Sequence, residues 1–89
     1  MTPQSVPRFA PGTRFRFDEV RSAWVVLAPE RLFLPDENAV EVLKLVDGTR
    51  AAAAIVDDLA TRFAAPREEI EGDVLDMLRE LADRGVLRS

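Results

Sequence analysis

Cysteine, histidine and tyrosine are all missing from the 89 residues. Without cysteine there is no disulfide, no thiolate metal site and no thiol nucleophile. Without histidine the chain loses the usual zinc ligand, the general base that titrates near neutral pH, and every Ser-His or Cys-His arrangement. Only carboxylates, lysine and arginine remain to titrate, so the sequence reads as a non-enzyme with no metal or cofactor of its own. The four glycines, Gly12, Gly48, Gly72 and Gly85, stand isolated, which leaves no loop able to cradle a phosphate. Long apolar runs are also missing. Ala51 to Val56 is among the longest and is far too short to cross a bilayer, while Met1-Thr2-Pro3-Gln4 lacks the apolar segment of a signal peptide. A soluble cytoplasmic protein with no membrane partner is the expectation.

The hydrophobic fraction of 47% suits one compact domain. A chain this short buries about 60% of its unfolded surface and needs no covalent staple. The net charge of −4 is unevenly spread. Up to Pro35, five arginines face three carboxylates, which leaves +2, and the remainder carries −6. So acidic a C-terminal part repels phosphate backbones and anionic lipid.

Residues 1–12 contain Pro3, Pro7 and Pro11 and show no periodicity, so they read as a flexible proline-rich arm that lies on the body or dangles, with Phe9 its only large anchor. Residues 13–89 form the single domain. Arg14-Phe15-Arg16-Phe17-Asp18 alternates with period two and predicts a half-buried strand. Trp24-Val25-Val26-Leu27 reads as a central strand, with Trp24 as a core residue or a stacking platform. Pro29 marks a turn, and Leu32-Phe33-Leu34 predicts a third strand ending at Pro35.

Beyond Pro35 the period becomes helical. Asp36 is the expected N-cap of a first helix that closes near Asp47, with Gly48 just past its end. Thr49 is the expected cap of a second helix with Ala52, Ile55, Val56, Leu59 and Phe63 as its apolar stripe. Pro66 suits the first position of a third and longest helix, and Gly85 its C-terminal stop. The apolar arc of that helix, built on Ile70, Val74, Met77, Leu78 and Leu81 and widened by Leu75 and Ala82, exceeds the roughly 100° that a surface helix needs. The excess hints at a groove. Gly72 falls inside this helix, where it marks either the close approach of another backbone or a tolerated defect. Three strands followed by three helices predict an α+β fold of winged helix-turn-helix type.

Two features invite a partner. The segment Arg31, Leu32, Phe33 and Leu34 lies at the sheet edge, where unpaired backbone groups template an added strand, from a peptide or from a second copy in a homodimer. Strand alternation points either Phe33 or the Leu32 and Leu34 pair at the incoming chain. Asp73, Asp76 and Glu80 share one flank of the third helix with Met77 by i, i+3 and i, i+4 spacing. That flank suits a peptide with a basic terminus, and is favoured over the alternative of Leu75, Leu78 and Arg79. DNA binding is the other reading of a winged helix-turn-helix, but from Pro66 to Arg84 three arginines oppose seven carboxylates, the wrong sign for a DNA reader.

The segments Pro7-Arg8-Phe9, Trp24-Val25-Val26-Leu27-Ala28-Pro29-Glu30-Arg31, Asp47-Gly48-Thr49-Arg50, Asp73-Val74 and Arg84-Gly85-Val86-Leu87, in this order and spacing, resemble the PqqD family of peptide chaperones in pyrroloquinoline quinone biosynthesis. The resemblance covers nearly the whole chain, and the tryptophan-to-arginine block is its most specific part. It implies a non-catalytic recognition domain that binds a small ribosomally made precursor peptide and presents it to a radical S-adenosylmethionine enzyme, which joins a glutamate to a tyrosine on the peptide. It also implies that the peptide lies as an added strand on the third strand, beside the third helix.

Overall fold

A computed structural model describes all 89 residues. A three-stranded antiparallel meander runs through β2 (Arg14–Asp18), β3 (Ala23–Ala28) and β4 (Arg31–Phe33) in that spatial order. It is followed by α1 (Glu37–Leu43), α2 (Ala52–Phe63) and α3 (Arg67–Asp83). A second, two-stranded sheet joins β1 (Arg8–Phe9) to β5 (Leu87–Arg88). The α+β winged helix-turn-helix arrangement expected from the pattern is the one observed. No helix is long and apolar enough to cross a membrane.

The register of the meander sets its faces. Phe15 lies opposite Val26, Phe17 opposite Trp24, and Val26 opposite Phe33, so these five side chains share the face turned to the core. Val26 is fully buried there, with Phe15 and Phe33 packed against the same cluster. Trp24 is half-buried rather than sealed in. It stacks on Phe15 at 4.7 Å, meets Phe17 edge-on at 5.8 Å, and lies under the Lys44 ammonium at 5.2 Å.

Of the two placements open to residues 1–12, the structure has the one on the body. Arg8 pairs with Arg88 and Phe9 with Leu87, and the Ala10 amide donates to the Val86 carbonyl at 2.9 Å. Pro7 is fully buried. Further upstream the arm caps α2: the Ala52 amide donates to the Ser5 carbonyl at 2.8 Å and the Ala53 amide to the Pro3 carbonyl at 2.9 Å. The N-cap residue of α2 is Ala51, which has no side-chain oxygen to offer. Backbone carbonyls therefore satisfy orphan donors of the first turn that a side chain normally takes.

This corrects the expected role of Thr49. Its amide and hydroxyl both donate to the Asp47 carboxylate, at 2.9 and 3.0 Å, and the Arg50 amide joins them at 2.8 Å. The amide of Thr49 foremost, then that of Arg50, holds the Asp47 carboxyl below its ordinary range. The same turn shortens α1, which stops at Leu43 rather than near Asp47. Gly48, at φ 81°, belongs to the turn and not to the helix end. After Leu43 the chain tightens into i→i+3 bonds, Leu45 to Val42 and Val46 to Leu43, which carry Val46 inward to a buried position. The start of α1 is as expected, with the Asp36 carboxylate accepting from the Ala39 amide at 2.8 Å.

Pro66 proves to be the N-cap of α3 rather than its first helical residue. The far end is a Schellman stop: Gly85, at φ 79°, donates to the Ala82 carbonyl and Val86 to that of Leu81. Only Val74 and Leu78 of α3 are buried, and they meet Ile55, Val56, Leu59, Val86 and Leu87 in one core cluster. Arg67 ties the two long helices together outside the core, bonded to Asp57 at 2.8 Å and to Glu71 at 2.6 Å. A side-chain carbon at Gly72 would meet nothing within 4 Å, which removes the close-approach reading and leaves the tolerated defect.

Replacement of Gly72 by alanine is expected to stabilise the protein by about 0.5–1 kcal/mol, because the helix gains propensity and no neighbour is displaced; a urea titration midpoint at or below wild type contradicts this. Deletion of residues 1–6 removes two acceptors for the first turn of α2 and is expected to cost about 1–3 kcal/mol. The Ala52 and Ala53 amides should lose hydrogen-exchange protection before the rest of α2, and unchanged protection there contradicts the capping role.

Candidate functional site

The free edge of the meander is β4, and the two-residue turn Pro29-Glu30 determines which of its groups point outward. A turn of this length closes on a hydrogen-bonded pair, here Ala28 opposite Arg31. Hydrogen-bonded and non-hydrogen-bonded pairs alternate along an antiparallel ladder. Phe33, opposite Val26, therefore spends its amide and carbonyl on β3, while Leu32, opposite Leu27, turns its own to the open side. The side chains divide the other way. Phe33 faces α3, and Leu32, 42% exposed, lies on the far face of the sheet.

The strand ends at Phe33 and not at Leu34, because Pro35 and the capping Asp36 already belong to the entry into α1. Leu34 is left 63% exposed just beyond the edge. Arg31 links the edge to α3. Its guanidinium donates to the Arg84 carbonyl at 3.1 Å and lies 5.3 Å from the centroid of the Phe33 ring.

Between β4 and α3 is a groove of about 280 Å³ whose walls include Phe33, Leu34, Met77, Glu80 and Leu81. Met77 and Glu80 also form one wall of an adjoining cleft of about 540 Å³ between α1, the end of α2 and α3. Val42, Leu59 and Val74 are its apolar floor, Phe63 its rim, and Glu41, Asp73, Asp76 and Glu80 its carboxylates. The two openings adjoin, with Met77 and Glu80 common to both.

Of the eight residues singled out from the sequence, Phe33, Leu34, Met77 and Glu80 meet in the groove, and Asp73 and Asp76 join Met77 and Glu80 in the cleft. Arg31 flanks the groove at its Arg84 end. The Leu32 side chain lies on the opposite face. On the alternative flank Leu78 is fully buried and so closed to a ligand.

Phe63 is a correction. Its spacing assigned it to the core stripe of α2, but it is 54% exposed over the cleft, because α2 ends at the next residue, the left-handed Ala64. Glu41 and Leu81 were not singled out. Leu81 was legible as the i+4 neighbour of Met77, whereas Glu41 faces the cleft through a helix packing that no local pattern encodes.

The acidic flank is less bare than its composition suggests. Arg79 binds Asp76 at 3.1 Å, Arg84 binds Glu80 at 2.9 Å, and Arg62 binds Glu41 at 3.0 Å. The hydrogen bond to Glu41 is the main cause of the upward shift of the Arg62 guanidinium. Exposed ion pairs of this kind are weak and exchange partners readily. Asp73 has no cation within ion-pairing distance.

Residues 23–87 match the family described as coenzyme PQQ synthesis protein D (PqqD). The chain is 52% identical over 84 residues to the PqqA binding protein of Rhodopseudomonas palustris strain HaA2, covering 94% of this chain and 82% of that protein. It is 51% identical over 82 residues to the bifunctional coenzyme PQQ synthesis protein C/D of Methylorubrum extorquens, where the match spans 22% of a longer polypeptide. Among solved structures it is similar, at TM-score 0.78, 47% identity and full coverage of both chains, to the PqqD truncation of Methylobacterium extorquens PqqCD, described as a stand-alone recognition element for ribosomally synthesised and post-translationally modified peptides. Lasso peptide synthetase B1, solved with its leader peptide, shares the fold at TM-score 0.80 and 14% identity over 96% of this chain.

Replacing Arg31 by alanine removes both the bond to the Arg84 carbonyl and the contact with Phe33. We expect a loss of about 1 kcal/mol in unfolding free energy. Chemical shift changes should be confined to β4 and the α3 terminus, and no shift at Arg84 or Gly85 contradicts the link.

Proposed function

The chain belongs to the PqqD family, and from that premise we propose that it binds the precursor peptide PqqA as an added strand on β4. The peptide backbone pairs with the outward amide and carbonyl of Leu32, while alternate peptide side chains enter the groove between Phe33, Leu34, Met77 and Glu80. The observation that carries this reading is the conjunction of a free strand edge with an apolar groove directly beside it. Strand addition needs both, main-chain partners for affinity and pockets for specificity. The relatives named for PqqA binding and for recognition of modified peptides support the same reading.

On this reading the domain is a non-catalytic chaperone that holds the peptide and presents it to a radical S-adenosylmethionine enzyme. Its contribution is positional: ordering an extended peptide in advance removes entropy that the enzyme would otherwise have to extract itself. A second copy of the chain would use the same edge, so peptide binding and homodimerisation exclude one another. The DNA-binding alternative fails on electrostatics, since the exposed carboxylates of α3 would face the phosphates.

The test is an isotope-edited NMR titration with synthetic PqqA. Shifts are expected over Arg31 to Leu34 and over Met77 to Glu80. Leu32→Pro removes the outward donor while leaving the β3–β4 ladder intact, and should weaken binding about tenfold, the effect of losing roughly 1.4 kcal/mol of main-chain pairing. A folded Leu32→Pro protein that binds PqqA as tightly as wild type rules out strand addition at β4.

A further inference from the structure

We propose that the cleft between α1, the end of α2 and α3 is a second subsite, which takes a lysine or arginine side chain of the bound peptide. The inference rests on the peptide lying along β4 and specifies what its neighbouring segment must carry. Adjacency is the first argument. Met77 and Glu80 belong to both the groove and the cleft, so a peptide that leaves the groove along α3 toward the helix N-terminus passes directly over the opening.

The lining selects the occupant. An apolar floor of Val42, Leu59 and Val74, all buried, sits beneath a mouth set with Glu41, Asp73, Asp76 and Glu80; Asp73 is unpaired, and the other three hold arginines that lie outside the lining in surface pairs that an incoming cation can replace. Apolar at depth and anionic at the rim is the complement of a long basic side chain, whose methylene stem lies on apolar surface while its cation stays at the polar edge. The Phe63 ring on the rim adds a face for the cation, and the protein's own Arg62 already lies 5.3 Å from the centroid of that ring. The carboxylates do not converge on a point where a metal ion could sit, which favours an elongated organic cation.

For a peptide that follows α3, the spacing of the helix residues sets a register. Asp73 lies one helical turn from Met77, about 6 Å along the axis at 1.5 Å per residue, and an extended peptide advances about 3.3 Å per residue. The basic residue is therefore about two positions from the one seated against Phe33 and Met77, and alternate residues of a strand point the same way.

A double-mutant cycle tests this. Synthetic PqqA and versions with each lysine or arginine replaced in turn by glutamine are titrated against wild type and against the Asp73→Asn, Asp76→Asn protein, with the Met77 methyl resonance reporting occupancy of the cleft. One replacement should weaken binding to wild type about tenfold, shift the Met77 methyl, and have no further effect on the doubly substituted protein. Additive effects at every position overturn the proposal. Leu32→Pro separates the two readings. If it weakens binding while no basic position couples to Asp73 and Asp76, strand addition stands and the subsite is wrong; if it has no effect, the groove reading fails as well.

Discussion

The narrowness of the buried seam on α3 is the constraint on which the rest of the molecule depends. Seventeen residues of helix are held to the body through Val74 and Leu78, one helical turn apart, against the apolar side of α2 and the returning Val86 and Leu87. Because so little of the helix is used for packing, Ile70, Met77 and Leu81 are left half-buried along its side. A helix with more of its arc in the core would have no apolar surface to spare for a ligand, and one with less would not be fixed relative to the sheet. Positional accuracy comes from two fully seated residues, and recognition chemistry from their neighbours one position before and three after.

The polar groups around α3 serve the same division. Arg31 of β4 reaches the carbonyl end of the helix, and Arg67 in its first turn reaches Asp57 of α2, so an arginine ties each end of the helix to another element. Between them the flank facing the cleft carries Asp76 and Glu80 in exposed, exchangeable pairs and Asp73 with no pair. Fixed ends and a labile middle suit a surface that must keep its shape while it changes partners.

Much of this was legible in the sequence, and the parts that were not share a cause. The meander follows from the two-residue alternation of Phe15 and Phe17 and from the apolar run at Val25 and Val26; the start of α1 follows from Asp36 and the end of α3 from Gly85. Each of these signals is local. The β1–β5 pair was invisible because two-residue strands carry no period and their partners lie at opposite ends of the chain. The cap on α2 was invisible because the groups that supply it, the carbonyls of Pro3 and Ser5, are common to every residue. Thr49 looked like a cap by type, but the Asp47 carboxylate folds residues 47–50 into a turn, and α2 begins only at Ala52, two residues too late for Thr49 to cap it. The side on which Phe33 falls could not be read from a three-residue strand, since its parity is set by the length of the preceding turn and by what lies across the sheet. The candidate site residues were found where type and spacing implied a face, and missed where, as with Glu41, the face depends on how one helix leans on another.

The β1–β5 ladder has a bearing on how the chain comes together. It closes a loop of nearly the entire sequence, and the entropy of closing a flexible loop of about 80 residues is on the order of 4 kcal/mol, against a reward of a few backbone bonds and the seating of Phe9 and Leu87. Such a pairing becomes favourable once the meander and the helices have shortened the effective loop. The same arm holds the start of α2 through the Ser5 and Pro3 carbonyls. Val86 joins this ladder to the groove: its carbonyl accepts from the Ala10 amide, and the same residue lines the groove beside Phe33 and Leu81, so the ladder and the candidate peptide surface meet at one residue.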